Sequence, residues 1–174
     1  VYLVKLPLSI VTVKTVTANQ EDCDNNCPTK SLAQYVGENG GYAGIHGSYF
    51  CPPDYASCAG KINSYDFAVY NSNLSKWLNQ GALAWNNIGA FTFNGKTPTF
   101  YPDSKTYPLS AVTAGVSNLA SLVSSGNVIV NESALDTYQK TVRGTRGAMG
   151  TDSSNIYLAV ITGATVPDAA YVMQ

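Results

Sequence analysis

The chemistry that this chain could perform is concentrated around its only histidine. His46 lies in the stretch 41–58, which also contains two of the four cysteines and several glycines. An imidazole titrates near neutral pH and can act as a general acid or base. Gly47 and Ser48 can offer backbone N–H groups and a hydroxyl to an anion. The competing interpretations are a structural role for a lone loop histidine and a simple tight turn at Gly47.

Two arginines, one glutamate and one tyrosine complete the set of candidates. Arg146 can bind two phosphate oxygens at once through its planar guanidinium, and Arg143 can assist it. Glu132 follows the apolar run 128–130, so the end of a strand would present its carboxylate. Tyr49 is predicted either to contact a substrate or to pack in the core. Surface ion pairs and solvation are the alternative interpretations for the charged side chains.

Other carboxylates have simpler explanations. Asp54, Asp66 and Asp152 lie in loops or near strand ends, where solvation or turn capping accounts for them. We therefore assign them no part in catalysis.

The composition excludes several classes of function. Charged residues make up 12% of the 174 residues and the formal net charge is −1, so the chain has no basic patch for nucleic acid. The cysteine spacings are poor for zinc, and we predict neither a metal nor a cofactor, with a calcium ion held by loop carboxylates as the open alternative. No apolar run reaches the roughly 18 residues that span a bilayer. The abundant hydroxyl, amide and aromatic groups are typical of extracellular, carbohydrate-facing surfaces.

The cysteines predict two disulfides and an oxidising compartment. They form two closely spaced pairs, Cys23/Cys27 and Cys51/Cys58. Four cysteines allow three connectivities, and the two local bridges are favoured because each closes a short loop. The protein is therefore expected to be secreted or extracellular. Asn73 and Asn131 each begin an Asn-X-Ser triplet, which predicts glycosylation in a host that glycosylates.

The pattern of elements predicts an α+β fold in a single domain spanning 1–174, with a mixed, mostly antiparallel sheet and a few short helices. The predicted strands are one or two within 1–16, then 42–45, 65–70, 128–130 and 156–162, of which the last is central. Residues 90–101 predict a hairpin with an Asn-Gly turn. The predicted helices are a Thr- or Ser-capped helix at 31–36, a partly helical stretch at 74–83, a short helix at 116–123, a helix or irregular segment at 135–142, and a helix beginning near 166.

Three stretches, in this order, resemble the phosphodiester glycosidase family. The first is a strand pair followed by a capped helix within 1–36. The second, Gly44-Ile45-His46-Gly47-Ser48-Tyr49-Phe50, is similar to the family's small-Ile-Asn-Gly-Gly-Phe-Phe motif. The third, Thr145-Arg146-Gly147-Ala148-Met149-Gly150 followed by the apolar run 156–163, is similar to a Pro-Arg-Thr-Ala-Ile-Gly segment and its strand. The family includes the uncovering enzyme, which removes N-acetylglucosamine from phosphodiester-linked lysosomal targeting sugars.

The resemblance implies an extracellular hydrolase that cleaves a sugar–phosphodiester bond, with a carbohydrate or sugar phosphate as substrate. Such cleavage passes through an oxocarbenium-like state and needs a base and positive charge near the phosphate. The implied catalytic residues are His46, Glu132 and Arg146. The implied substrate-binding residues are Gly47, Ser48, Tyr49 and Arg143. His46 stands where the family has Asn, and Thr162 where it has Asp.

The resemblance also implies a further segment. The family's Asp-Gly-Gly-Gly-Ser motif would follow Gln174, so the resemblance implies a domain that continues past this fragment and leaves open whether the fragment is active by itself. Two alternatives remain open: a non-catalytic envelope or filament subunit that self-assembles through strand edges, and a sugar-binding module that uses exposed Tyr and Trp side chains.

Overall fold

The computed structural model describes residues 1–51, 55–65 and 67–174 and confirms the α+β prediction. The strands are β1 (Tyr2–Pro7), β2 (Val69–Asn71), β3 (Lys76–Leu78), β4 (Gly89–Asn94), β5 (Thr97–Tyr101), β6 (Ala114–Asn118), β7 (Val123–Ser124), β8 (Asn127–Val128), β9 (Gly144–Thr151) and β10 (Asn155–Ala164). The α-helices are α1 (Leu32–Glu38), α2 (Thr137–Thr141) and α3 (Val166–Met173). No helix in the described part of the chain combines the length and apolarity that a membrane span requires.

The strands pair antiparallel in two main sheets. Within the described ranges, one sheet has the order β1-β10-β9 and the other the order β3-β2-β6-β4-β5, while β7 and β8 form a small ribbon. The main core lies between the two sheets and contains Leu6, Leu8, Val69, Phe91, Phe93, Ala114, Val116 and Ile156. A second cluster lies under α3 and contains Ala148, Ala159, Ile161, Ala164 and Ala169.

Strand β10 is central in its sheet, as the sequence predicts. It pairs with β1 on one side and β9 on the other. The β9–β10 connection is a polar turn in which the Asp152 carboxylate accepts hydrogen bonds from the backbone N–H groups of Ser154 and Asn155, both at 2.7 Å. This Asx-type capping explains why the turn forms at that point in the sequence.

Side-chain caps fix where α1 and α3 begin. The Ser31 side chain accepts a hydrogen bond from Gln34 N, and the Gln34 side-chain oxygen accepts one from Ser31 N, which makes a capping box. Thr165 and Asp168 make the same arrangement at the start of α3, with a proline in the first turn. Both helix starts agree with the sequence-based expectation.

The two disulfides have the predicted local pairing. Cys23 bonds to Cys27 and Cys51 to Cys58, with Cα–Cα distances of 5.8 and 5.5 Å. Both distances are in the usual range for a bridge. Asn73 and Asn131 are exposed, and their glycosylation stays a prediction.

The hairpin β4–β5 is confirmed, with its turn displaced by one residue. Asn94 pairs with Thr97, so the loop residues are Gly95 and Lys96. Gly95 has φ +60°, a conformation that favours glycine over residues with a Cβ atom.

The helix predicted at 116–123 is wrong. Residues 114–118 form β6, which lies between β2 and β4. Ala114 to Ser117 are all buried, and a strand covered on both faces lacks the alternation that identifies strands in a sequence. The predicted strand at 42–45 is also wrong, because residues 43–47 belong to no strand.

Other predicted elements are right in part. Of residues 1–16, only Tyr2–Pro7 form a strand. The stretch 74–83 contains β3, which pairs with β2, before a 3₁₀ turn at Gln80–Ala84. The strand predicted at 65–70 overlaps β2 at residues 69 and 70, and the strand predicted at 128–130 overlaps β8 only at Val128. The uncertain segment 135–142 contains α2.

Candidate substrate groove

A large groove opens beside the β1-β10-β9 sheet. Its volume is about 1680 Å³, and it is lined by α1, the loop 39–50, β1, β6, β9 and α3. Much of the wall is apolar, with contributions from Leu6, Val36, Phe91, Val116, Leu158 and Met173. The loop 39–50, which we call the histidine loop, contributes His46, Ser48 and Tyr49 to the polar part of the lining. Asn118 of β6 and Arg146 of β9 also line the groove.

The imidazole of His46 rests on the backbone of Gly147 in β9. A Cβ atom at position 147 would lie 2.7 Å from His46 Nε2, which is closer than real Cβ contacts. Only glycine therefore leaves room for the ring in this position. The contact joins the histidine motif to the arginine motif, although residues 46 and 146 are 100 positions apart in the sequence.

Asn118 of β6 and Tyr49 both make contacts within the loop 39–50. The Asn118 side chain donates a hydrogen bond from Nδ2 to the Gly47 carbonyl at 2.7 Å. The ring of Tyr49 is tilted against that of His46, with 5.6 Å between centroids. Ser48 Oγ is directed to the Tyr49 carbonyl at 3.4 Å, a long hydrogen bond that a ligand can readily replace.

Burial shifts the pKa values of the two aromatic groups that can titrate here. The His46 side chain keeps access to solvent, but the packed protein on its Gly147 side desolvates the imidazolium and lowers its pKa. Burial raises the pKa of the Tyr49 hydroxyl, and the positive charge of Arg146 partly opposes that shift. At pH 7, His46 is therefore neutral and can accept a proton or a hydrogen bond.

We expect His46 to titrate below its ordinary pKa of about 6.5. Because the unfolded chain then binds the proton more tightly, the contribution of His46 to the free energy of unfolding falls as the pH drops from about 6.5 to the folded-state pKa. Stability in this window should rise with pH. The single imidazole gives one Hε1 signal, so a proton NMR titration measures the pKa directly. Urea unfolding at several pH values between 5 and 7.5 gives the free energy of unfolding as a function of pH. This free energy should rise less steeply with pH in His46→Gln than in the wild type, and an equal pH dependence would contradict the lowered pKa of His46.

Arg146 is held by backbone and aromatic groups. Its Nε donates to the Ala164 carbonyl at 3.2 Å and its Nη2 to the Val142 carbonyl at 2.9 Å. The guanidinium carbon lies 5.9 Å from the centroid of the Tyr138 ring. Neither hydrogen bond uses Nη1. Among the described residues, no carboxylate lies within salt-bridge distance of Arg146, so its charge is available to an anion.

Arg143 has a structural partner. Its Nη1 donates to the Gly163 carbonyl at 2.8 Å and lies 3.0 Å from a carboxylate oxygen of Asp168 in α3. Arg143 is not among the residues that line the groove. The structure therefore does not bring it together with His46.

Glu132, the carboxylate predicted to be catalytic, also lies outside the groove. Glu132 is exposed in a 3₁₀ turn at Glu132–Ala134 and does not line the groove. Asp152 does line it, but its carboxylate is occupied by the turn and by the Tyr157 hydroxyl at 2.6 Å. Asp152 is five positions beyond Gly147 along the chain, or roughly 16 Å at the usual rise of a strand. Asp54 and Asp66 lie outside the described residues, as do positions 52 and 53.

Sequence reasoning missed two residues of this site. Asn118 falls in the segment predicted as a helix, and nothing in the sequence pattern points to its contact with Gly47. Gly147 belongs to the arginine motif, but the need for glycine becomes visible only when the His46 ring is in place. In the described part of the chain, no group of three or more His, Cys, Asp or Glu residues is arranged to hold a metal ion.

The fold and the groove define a disulfide-bonded α+β protein with an open cleft that has polar groups around one histidine. Comparisons of the chain with protein-family models, curated proteins and solved structures return no match. The arguments about function therefore rest on the short motifs and on the geometry of the groove.

Proposed function

We propose that this protein is a secreted phosphodiester glycosidase that binds a sugar phosphodiester in the groove. The observation that carries the proposal is the contact of His46 with Gly147, which brings the histidine loop against the strand residue next to Arg146. The charge of Arg146 acts on Tyr49 of the same loop. Neutral His46, the Ser48 hydroxyl and Arg146, which has no carboxylate partner among the described residues, then line one groove. The order of the three motifs along the chain supports the same reading.

The proposed reaction divides the chemistry between two side chains. Arg146 binds the phosphate oxygens through donors that its backbone contacts leave unused, and stabilises the negative charge of the departing phosphate monoester. The bond between the anomeric carbon and the phosphate oxygen breaks, and a water oxygen bonds to that carbon. Neutral His46 accepts the proton that the water loses. Tyr49 offers a ring on which the sugar can pack.

We expect removal of either side chain to abolish most of the activity. The assay follows release of free N-acetylglucosamine from an N-acetylglucosamine-1-phosphodiester at pH 7. His46→Ala should lower kcat/KM by about 10²–10⁴-fold if the imidazole is the base. Arg146→Ala should lower it by about 10²–10³-fold, since it removes charge stabilisation of the leaving group.

Matched variants outside the groove control for nonspecific effects. Tyr171→Ala removes an exposed ring and Lys61→Ala removes a cation, and neither residue lines the groove. Both should keep wild-type kcat/KM. The proposal is overturned if the wild-type protein releases no sugar from a panel of sugar phosphodiesters, or if His46→Ala and Arg146→Ala retain full activity. Saturable binding without cleavage would point to the sugar-binding module instead.

One observation favours assembly as a second candidate function. Strand β1 pairs with β10 on one edge and has no partner on the other among the described residues. Tyr2 and Leu3 on this strand are 74% and 56% exposed. Such an edge suits strand addition by another copy. Sedimentation showing a monomer at high protein concentration would exclude this alternative.

A further inference from the structure

Asn118 links the histidine loop to the five-stranded sheet. It is the last residue of β6 and pairs with Gly89 of β4. Its Nδ2 donates to the Gly47 carbonyl at 2.7 Å, and its Oδ1 accepts a hydrogen bond from Leu119 N at 2.8 Å. Both ends of the amide are therefore engaged, and this fixes the direction in which the N–H groups point.

The segment 42–48 packs against its neighbours mainly through apolar contacts, with Ala43 against the main core and Gly44 close to Leu32 and Val36 of α1. Residues 43–47 belong to no strand or helix. Within the described part of the chain, the bond from Asn118 to Gly47 is the hydrogen bond that joins the segment 42–48 to another element of the fold. A loop without regular pairing samples many conformations unless such a contact orders it.

We infer that Asn118 is a positioning residue, whose amide holds the Gly47 carbonyl so that the adjacent His46 ring stays on Gly147. Two contacts then hold consecutive residues of the loop. The hydrogen bond from Asn118 holds Gly47, and the ring of His46 packs on Gly147, where a side chain would leave it no room. The position of Val116 strengthens the first contact. A Cβ atom at Gly47 would lie 3.3 Å from Val116 Cγ2, so the loop runs close against β6.

This inference deepens the proposed function, because an ordered imidazole is what the proposed general base requires. A misplacement of about 1 Å at a catalytic group can cost 10²-fold in rate. The groups that contact the ring are Tyr49 from the loop and Gly147 from β9. The charge of Arg146 acts on the Tyr49 hydroxyl. None of these contacts replaces the hydrogen bond at Gly47.

The test measures the position of His46 without a substrate. The wild-type protein should show nuclear Overhauser effects between the His46 ring protons and the Gly147 Hα protons. Asn118→Ala removes the donor and should abolish them. Asn118→Asp should do the same, because it keeps the acceptor for Leu119 N but places an oxygen against the Gly47 carbonyl. Cross-strand signals between Val116 and Phe91 should persist in both variants, since β6 keeps its backbone pairing.

Asn127→Asp is the matched control. Asn127 is exposed, its side chain bonds to the Ser125 carbonyl, and it does not line the groove. This variant should leave the His46–Gly147 signals unchanged. Unchanged signals and an unchanged Hε1 shift in both Asn118 variants would overturn the inference.

Activity measurements separate this inference from the proposed function. If the positioning role and the proposed function both hold, the Asn118 variants should lose about 10²-fold in kcat with a smaller change in KM. If the wild-type protein cleaves no sugar phosphodiester but the Overhauser effects vanish in the variants, the positioning role stands and the proposed function fails. If the wild-type protein is active and the Asn118 variants match it in signals and in kcat, the positioning role fails and the proposed function stands.

Discussion

Replacing Phe93 by alanine should lower the free energy of unfolding by about 3–5 kcal/mol. Phe93 lies on β4, is 1% exposed, and belongs to the core cluster between the two sheets. Its ring packs edge-to-face against Phe91, with 5.1 Å between centroids. The substitution removes buried apolar surface and leaves a cavity that the two paired neighbours of β4 prevent from collapsing. Urea unfolding followed by tryptophan fluorescence measures the effect.

Phe50→Ala provides the matched control. Phe50 is 46% exposed and its ring contacts Tyr65, so its loss should cost no more than about 1.5 kcal/mol. A cost below about 1 kcal/mol for Phe93→Ala would show that the space between the sheets is loosely packed. The two sheets would then be able to move relative to each other, and the groove beside them would lack a rigid wall.

Replacing Gly147 by alanine should displace His46 and reduce the proposed activity by about 10²-fold or more. The added Cβ atom would come within 2.7 Å of His46 Nε2 and 3.2 Å of Nδ1, so the ring must leave its present position. Gly147 lies in β9 opposite Val160, and this pairing prevents the strand from yielding instead. Because the histidine loop lacks regular pairing, it moves at little cost to global stability. The measurements are kcat/KM, the His46 Hε1 shift and the midpoint of urea unfolding.

Gly144→Ala is the control on the same strand. A Cβ atom at position 144 meets no atom within 4 Å, and the residue is not among those lining the groove. Its activity and its His46 signal should equal those of the wild type. A Gly147→Ala variant with a wild-type Hε1 shift would contradict the packing of the imidazole on β9. A shifted signal with undiminished activity would instead remove His46 from the proposed reaction.

The elements that the sequence predicts well are those with local causes. The capping boxes at Ser31 and Thr165 join residues three positions apart, and the turn at Asp152 is closed by its own carboxylate. The disulfides close loops between cysteines 4 and 7 positions apart. Each of these features depends on side chains that are neighbours in the sequence. They form the same local contacts in many possible folds.

The predicted site was only partly assembled by the fold. His46, Gly47, Ser48, Tyr49 and Arg146 line one groove, whereas Glu132 and Arg143 do not. Arg143 has the same charge and nearly the same place in the sequence as Arg146. The difference is that Asp168 of α3 lies within 3.0 Å of Arg143. The sequence offers no means of telling which of two nearby arginines a distant helix will pair with.

By itself, the sequence determined the fold class, the starts of α1 and α3 and the central strand β10, and it favoured the local disulfide pairing that the structure shows. Only the tertiary structure decided that 114–118 is a strand, that Asn118 holds Gly47 across 71 positions of sequence, and that Gly147 receives the imidazole. The physical reason is how far apart in the sequence the interacting residues are. Caps, turns and short disulfide loops are satisfied within a few residues, whereas a doubly covered strand and the space above a glycine exist only after the two sheets have come together.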